Sequence, residues 1–179
     1  MKLLRCRICG ETFLGTDAPS RCPFCGAAEH YFIDDPTGFS AEENRVQITE
    51  IERADLERAI ELERSNARYY AGMARNAGSE ALASAYKRLS RIEAEHCSVF
   101  CRLADERKPD DLGEPEPASG DWCTDIAESL RREQVASAFY AEAASRATNE
   151  RIREVFSAVA EVERDHIELD GVAARLAGC

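Results

Sequence analysis

Residues 88–100, RLSRIEAEHCSVF, and residues 158–170, AVAEVERDHIELD, share one pattern. Each holds a Glu-x-x-His, Glu93 with His96 and Glu163 with His166. On a helix, positions i and i+3 lie on one face, so the carboxylate and the imidazole can grip one metal ion. A single motif of this kind arises on many helix surfaces without function. Here the surroundings repeat as well. Residues 61–74, ELERSNARYYAGMA, resemble residues 129–144, SLRREQVASAFYAEAA, so that Glu63 maps to Glu133 and Tyr70 to Tyr140 at the same offset of 70 residues. The pattern is that of a duplicated helical hairpin.

Proline marks where the helices can run. The six prolines, at 19, 23, 36, 109, 115 and 117, leave residues 37–108 and the chain after 117 clear. The first stretch divides at Asn76-Ala77-Gly78-Ser79, where Gly78 suits a left-handed helix end and Ser79 an N-cap. The second divides at Thr148-Asn149. Helices are therefore expected at 50–76, 80–106, 123–147 and 150–177, with residues 108–120 as a long crossover. The expected architecture is mainly α: a ferritin-like antiparallel four-helix bundle over 50–179, a linker over 36–49 and a small metal knot over 1–35.

Spacing brings the acids to one depth. Glu63 and Glu93 each lie 15 residues from Gly78, about 22 Å of helix, and Glu133 and Glu163 lie equally far from Thr148. The stripe Leu82, Tyr86, Leu89, Glu93, His96, Phe100, Leu103 and its counterpart Ile152, Phe156, Val159, Glu163, His166, Asp170, Ala173 put the presumed ligands on otherwise apolar faces. Buried carboxylates without partners would cost several kcal/mol or take up protons. Cations resolve the conflict, and two single glutamates with two Glu-x-x-His motifs make the ligand pattern of di-iron and di-manganese bundles. Tyr70 and Tyr140 lie two turns beyond Glu63 and Glu133, either as core aromatics or as hydroxyls that orient a ligand or donate an electron.

Cys6-Arg7-Ile8-Cys9-Gly10 and Cys22-Pro23-Phe24-Cys25-Gly26 form two knuckles separated by 12 residues. Four thiolates so spaced make a tetrahedral site for iron or zinc, and spacing alone does not separate the two. The proline of the second knuckle and the neighbouring di-iron pattern favour iron. Cys97 and Cys101 are expected as small buried hydrophobes, with redox chemistry as the alternative. Cys179 is expected to be terminal and exposed, and Trp122 to anchor the start of the third helix. The clustering of four cysteines in the first 25 residues favours metal binding over disulfides, in a reducing compartment. Net charge is −11 without a basic cluster, which disfavours nucleic acid or an anionic membrane as partner. No apolar run approaches a membrane span. The first cysteine comes too early for a signal peptide, and the chain reads as cytoplasmic.

These segments resemble the rubrerythrin family with its modules reversed, a rubredoxin-like knot first and a ferritin-like bundle second. CRICG-ETFLGTDAPSR-CPFCG is similar to its knot, and ELERSNARYY, EAEH, REQVASAFY and ERDH to its ligand helices. The resemblance implies a peroxidase that reduces hydrogen peroxide to water in oxidative-stress defence. Electrons would come from NADH through separate reductases or a rubredoxin and pass by a mononuclear Fe(Cys)4 site to a di-iron pair, where manganese or zinc could substitute. It also implies a homodimer in which one subunit's knot serves the other's bundle. One position departs from the family, which usually carries a glutamate where Ala136 stands. Two other functions compete: a ferroxidase, oxidase or iron-handling protein, for which the cysteine site would have no use, and a zinc-containing sensor or binding module without catalysis.

Overall fold

The helices begin where side chains replace the missing backbone acceptors of a first turn. In the computed structural model, which describes residues 1–35 and 40–179, α1 is Glu50–Met73, α2 Glu80–Ala104, α3 Trp122–Arg146 and α4 Glu150–Ala177. Residues 36–39, including Pro36 and the first part of the expected linker, lie outside the described residues. Thr49 opens α1 with a capping box, its hydroxyl accepting from the Glu52 amide while Glu52 accepts from the Thr49 amide at 2.8 Å. Ser79, Asp121 and Asn149 cap the other three helices through their side chains. Helix α1 stops three residues short of the expected end, with Ala74 as its C-cap, so Gly78 (φ 94°) belongs to the turn and not to the helix.

Helix α1 packs along α2 and α3 along α4, and the two hairpins meet through α1 with α3 and α2 with α4. The crossover between α2 and α3 is fastened to α1. Arg64 and Arg68 both bind Asp111, the Glu116 amide donates to the Arg68 carbonyl at 3.0 Å, and Leu112 is buried. Glu52 joins the hairpins at one end, accepting also from the amides of Thr148 and Asn149, each at 2.8 Å. Burial works against its charge, but the Thr49 and Asn149 amides hold its carboxyl down at about 2.

The N-terminal module is an antiparallel sheet in the order β2-β1-β3, formed by Thr12–Gly15, Lys2–Cys6 and Phe32–Ile33. It sits directly on the bundle. Cys6, Ile8 and Cys25 share one apolar core with Ala59, Phe100 and Val159. Arg7 pairs with Glu154 at 3.0 Å and Arg21 with Asp165 at 2.8 Å, while Arg102 and Arg151 donate to the carbonyls of Cys9 and Arg7.

One expectation fails. Cys123 and Cys179 are not free thiols but form a disulfide on the exposed surface, with Cα atoms 5.6 Å apart. The antiparallel course of α3 and α4 explains it, because the start of the one lies beside the end of the other. Cys97 and Cys101 are buried as expected. Among the described residues no helix is long and apolar enough to cross a membrane.

Candidate metal centres

The two knuckles bring Cys6, Cys9, Cys22 and Cys25 together, all buried, with every sulfur within 4.8 Å of the others. Cys6 and Cys25 are 3.7 Å apart and Cys9 and Cys22 3.8 Å. A tetrahedron with metal–sulfur bonds of roughly 2.3 Å has edges of about 3.8 Å, so the sulfurs already stand at bonding geometry. Each knuckle closes on its glycine, Gly10 donating to the Cys6 carbonyl and Gly26 to the Cys22 carbonyl, both at 2.8 Å.

Inside the bundle, six side chains from four helices converge as two overlapping groups: Glu63, Glu93, His96 and Glu163, then Glu93, Glu133, Glu163 and His166. The shared pair, Glu93 and Glu163, lies between the other four. The arrangement is nearly two-fold symmetric. His96 Nδ1 is 3.1 Å from Glu93, 3.3 Å from Glu163 and 3.7 Å from Glu63. His166 Nδ1 is 2.9 Å from Glu163, 3.1 Å from Glu93 and 3.7 Å from Glu133.

Each of the four glutamates keeps one buried oxygen without a hydrogen-bond partner: Oε2 of Glu63 and Glu133, Oε1 of Glu93 and Glu163. Burial and the charges of Glu93 and Glu163 push the Glu63 and Glu133 carboxyls far above their ordinary range. Against burial, the surrounding carboxylates raise both histidines. Protons on Glu63, Glu133 and both histidines would offset the charge of Glu93 and Glu163, but they would leave four buried carboxylate oxygens without partners. Two divalent cations would cancel the charge of four carboxylates and occupy the four orphaned oxygens. The donor set fits a di-iron centre and the cysteines fit a single iron.

The comparisons agree. Residues 5–33 match the family model described as the rubrerythrin rubredoxin-like domain. Reverse rubrerythrin-1 of Clostridium acetobutylicum is 37% identical over 116 residues, 59% of this chain and 64% of that protein, so the match spans less than two thirds of the relative. No solved structure matches the chain. These findings support the rubrerythrin family in its reversed order.

Two features of this site were not foreseen from sequence. The first joins its two halves. His96 Nε2 lies 2.8 Å from the Cys25 carbonyl. A carbonyl can only accept, so Nε2 carries a hydrogen and Nδ1 is the nitrogen left to meet the carboxylates or a cation held by them. The knot thereby meets a bundle histidine of the same chain and orients its ring. The second is Asp170, buried on the ligand stripe of α4. It accepts from the Tyr86 hydroxyl at 2.7 Å and from Ser129 at 2.8 Å, and burial pushes its carboxyl up to about 6. A carboxylate on a buried stripe was a visible signal, but its partner on a helix 84 residues away was not.

Tyr70 and Tyr140 bond across the hairpins: Tyr70 donates to Glu133 and Tyr140 to Glu63, the latter at 2.6 Å. Their hydroxyls hold the outer glutamates in place. Ala136, where rubrerythrins usually carry a further glutamate, is fully buried and offers no seventh ligand.

Proposed function

We propose that the chain is a non-haem di-iron peroxidase that reduces hydrogen peroxide to water with electrons supplied by its N-terminal iron site. In this reading Cys6, Cys9, Cys22 and Cys25 hold one iron, and Glu63, Glu93, His96, Glu133, Glu163 and His166 hold two. When bound, a ferrous pair supplies two electrons to the O–O bond. The observation that carries the reading is the Cys25–His96 hydrogen bond, a contact between the two ligand sets that storage of iron would not need.

The chain's own groups divide the work. The Cys25 carbonyl fixes His96 with Nδ1 inward. Tyr140 and Tyr70 keep protons at the outer glutamates, one hydrogen bond from the pocket. His96 is fully buried, but His166 is 5% exposed and borders a cavity of about 310 Å³ that Cys22, Pro23, Gly26 and Val162 also line. A molecule the size of peroxide would enter there, between knot and bundle. NADH-linked reductases as electron donors, a cytoplasmic location and a homodimer complete the proposal.

The test is anaerobic purification with metal analysis and a visible spectrum, then rapid mixing of reduced protein with peroxide or with dioxygen. The expected result is three irons per chain and faster reoxidation by peroxide than by dioxygen. In His96→Ala the absorbance of the cysteine site should return far more slowly than in His166→Ala. Faster oxidation by dioxygen would make the chain an oxidase, and a colourless zinc-only protein would end the redox proposal.

A further inference from the structure

The peroxidase proposal leaves a row of oxidisable rings without a task. Tyr70, fully buried against Glu133, lies 5.9 Å between ring centroids from Tyr86, which stacks on Trp122 at 5.8 Å. Trp122 is only partly buried, and the next residue is Cys123 of the surface disulfide. The three rings thus run from the carboxylate pocket to the surface in steps of direct ring contact. Each phenol hydroxyl is hydrogen-bonded to a carboxylate, Tyr70 to Glu133 and Tyr86 to Asp170, and Asp170 lies outside the six metal ligands. An oxidised phenol loses its proton readily, so a built-in acceptor is what a tyrosine needs if it is to give up an electron and recover it.

The other half of the duplication supplies a control. At the 70-residue offset Tyr86, Asp170 and Ser129 correspond to Phe156, Phe100 and Ala59. There Tyr140 touches Phe100 and Phe156, at 5.4 and 6.0 Å between centroids. Those rings are not readily oxidised. A merely structural aromatic filling would not require the polar set on one side alone.

We propose that Tyr70, Tyr86 and Trp122 form a second electron route, from the thiols of Cys123 and Cys179 to the carboxylate pocket. The proposal rests on the peroxidase reading, with hydrogen peroxide as the oxidant. Tyr70 gives one electron inward, its hydroxyl proton staying in the hydrogen bond it already makes. Tyr86 refills Tyr70 and lends its proton to Asp170. Trp122 refills Tyr86, which takes its proton back, and a thiol of the pair refills Trp122. Two passes join Cys123 to Cys179 and release two electrons and two protons, the number that converts one hydrogen peroxide to two waters. The disulfide present in the structure is the spent form, reset by an external thiol.

The experiment uses the full iron-loaded chain, its Cys123–Cys179 bond reduced and the reductant removed anaerobically. After one equivalent of peroxide, free thiols are alkylated and the disulfide is counted by peptide mass spectrometry, with remaining peroxide measured in the same sample. The expected result is disulfide formation much faster than in metal-free chain, and loss of that acceleration in Tyr86→Phe and in Trp122→Phe. Two variants guard against misfolding, and Tyr86→Phe copies a residue the fold already accepts at Phe156. Peroxide consumed while the wild-type thiols stay free, or acceleration retained in both variants, overturns the route alone. Peroxide left unconsumed overturns the peroxidase reading and the route with it.

Discussion

The two hairpins of the bundle carry the same ligands at the same spacing and surround them differently. His96 and His166 face the same carboxylates at nearly equal distances, yet one is sealed against the Cys25 carbonyl and the other borders a cavity. Tyr86 with Asp170 answers Phe156 with Phe100. Even the fastenings at the turns differ in kind. Glu52 accepts amides from the turn between α3 and α4, whereas its counterpart Trp122 donates its indole hydrogen to the Ala77 carbonyl in the turn between α1 and α2. Charge neutrality at the centre constrains six residues in common. Outside them the copies differ, one histidine sealed by the knot and the other beside a cavity.

That comparison breaks most visibly at the shared acids. Glu93→Ala and Glu163→Ala should each empty the bundle of metal while the cysteine site keeps its iron, as metal analysis and the visible spectrum would show. Each removes a group that both halves use, so unequal losses would mean that the symmetry of the geometry does not extend to binding. The next effect concerns acid stability. The Glu52 carboxyl is depressed in the folded chain, so its contribution is complete above the unfolded value near 4.5 and is lost as pH falls toward 2. Glu52→Gln should lower stability at neutral pH by about 3 kcal/mol, and the deficit should shrink across that window in denaturant titrations. The smallest effect tests the aromatic halves. Phe156→Tyr places a hydroxyl among Phe100, Phe139 and Tyr140 and should cost about 1–3 kcal/mol in thermal unfolding. Tyr86→Phe should cost no more than about 1.5 kcal/mol, since Ser129 still serves Asp170.

Much of this was legible in the residues themselves. Paired Glu-x-x-His motifs, matched upstream glutamates and the position of the turns fixed the depth of the pocket, because helical rise converts sequence distance directly into height. Ser79 and Asn149 were legible as caps, and α4 runs over the residues expected, Glu150–Ala177. Helix α1 ended early because Asn76 leaves the helix to donate to Asp125 at 2.6 Å, a contact with a residue 49 positions on. The same limit applies elsewhere. The Tyr86–Asp170 and Cys25–His96 contacts depend on how separate elements face one another, and no local period encodes that. The Cys123–Cys179 bond was within reach of inference once α3 and α4 were taken as antiparallel, but the count of cysteines near the N-terminus drew attention to metal chemistry alone.

Gly26 was first a matter of knuckle geometry, with φ at 78°. A methyl group there would stand 2.6 Å from Val162 Cγ1, so nothing larger than hydrogen fits where the knot rests on α4. The glycine follows Cys25, whose carbonyl reaches His96, and Val162 precedes Glu163. A single absent side chain therefore acts as the spacer between the two ligand sets. Any substituent there would lift one off the other and widen the gap between them.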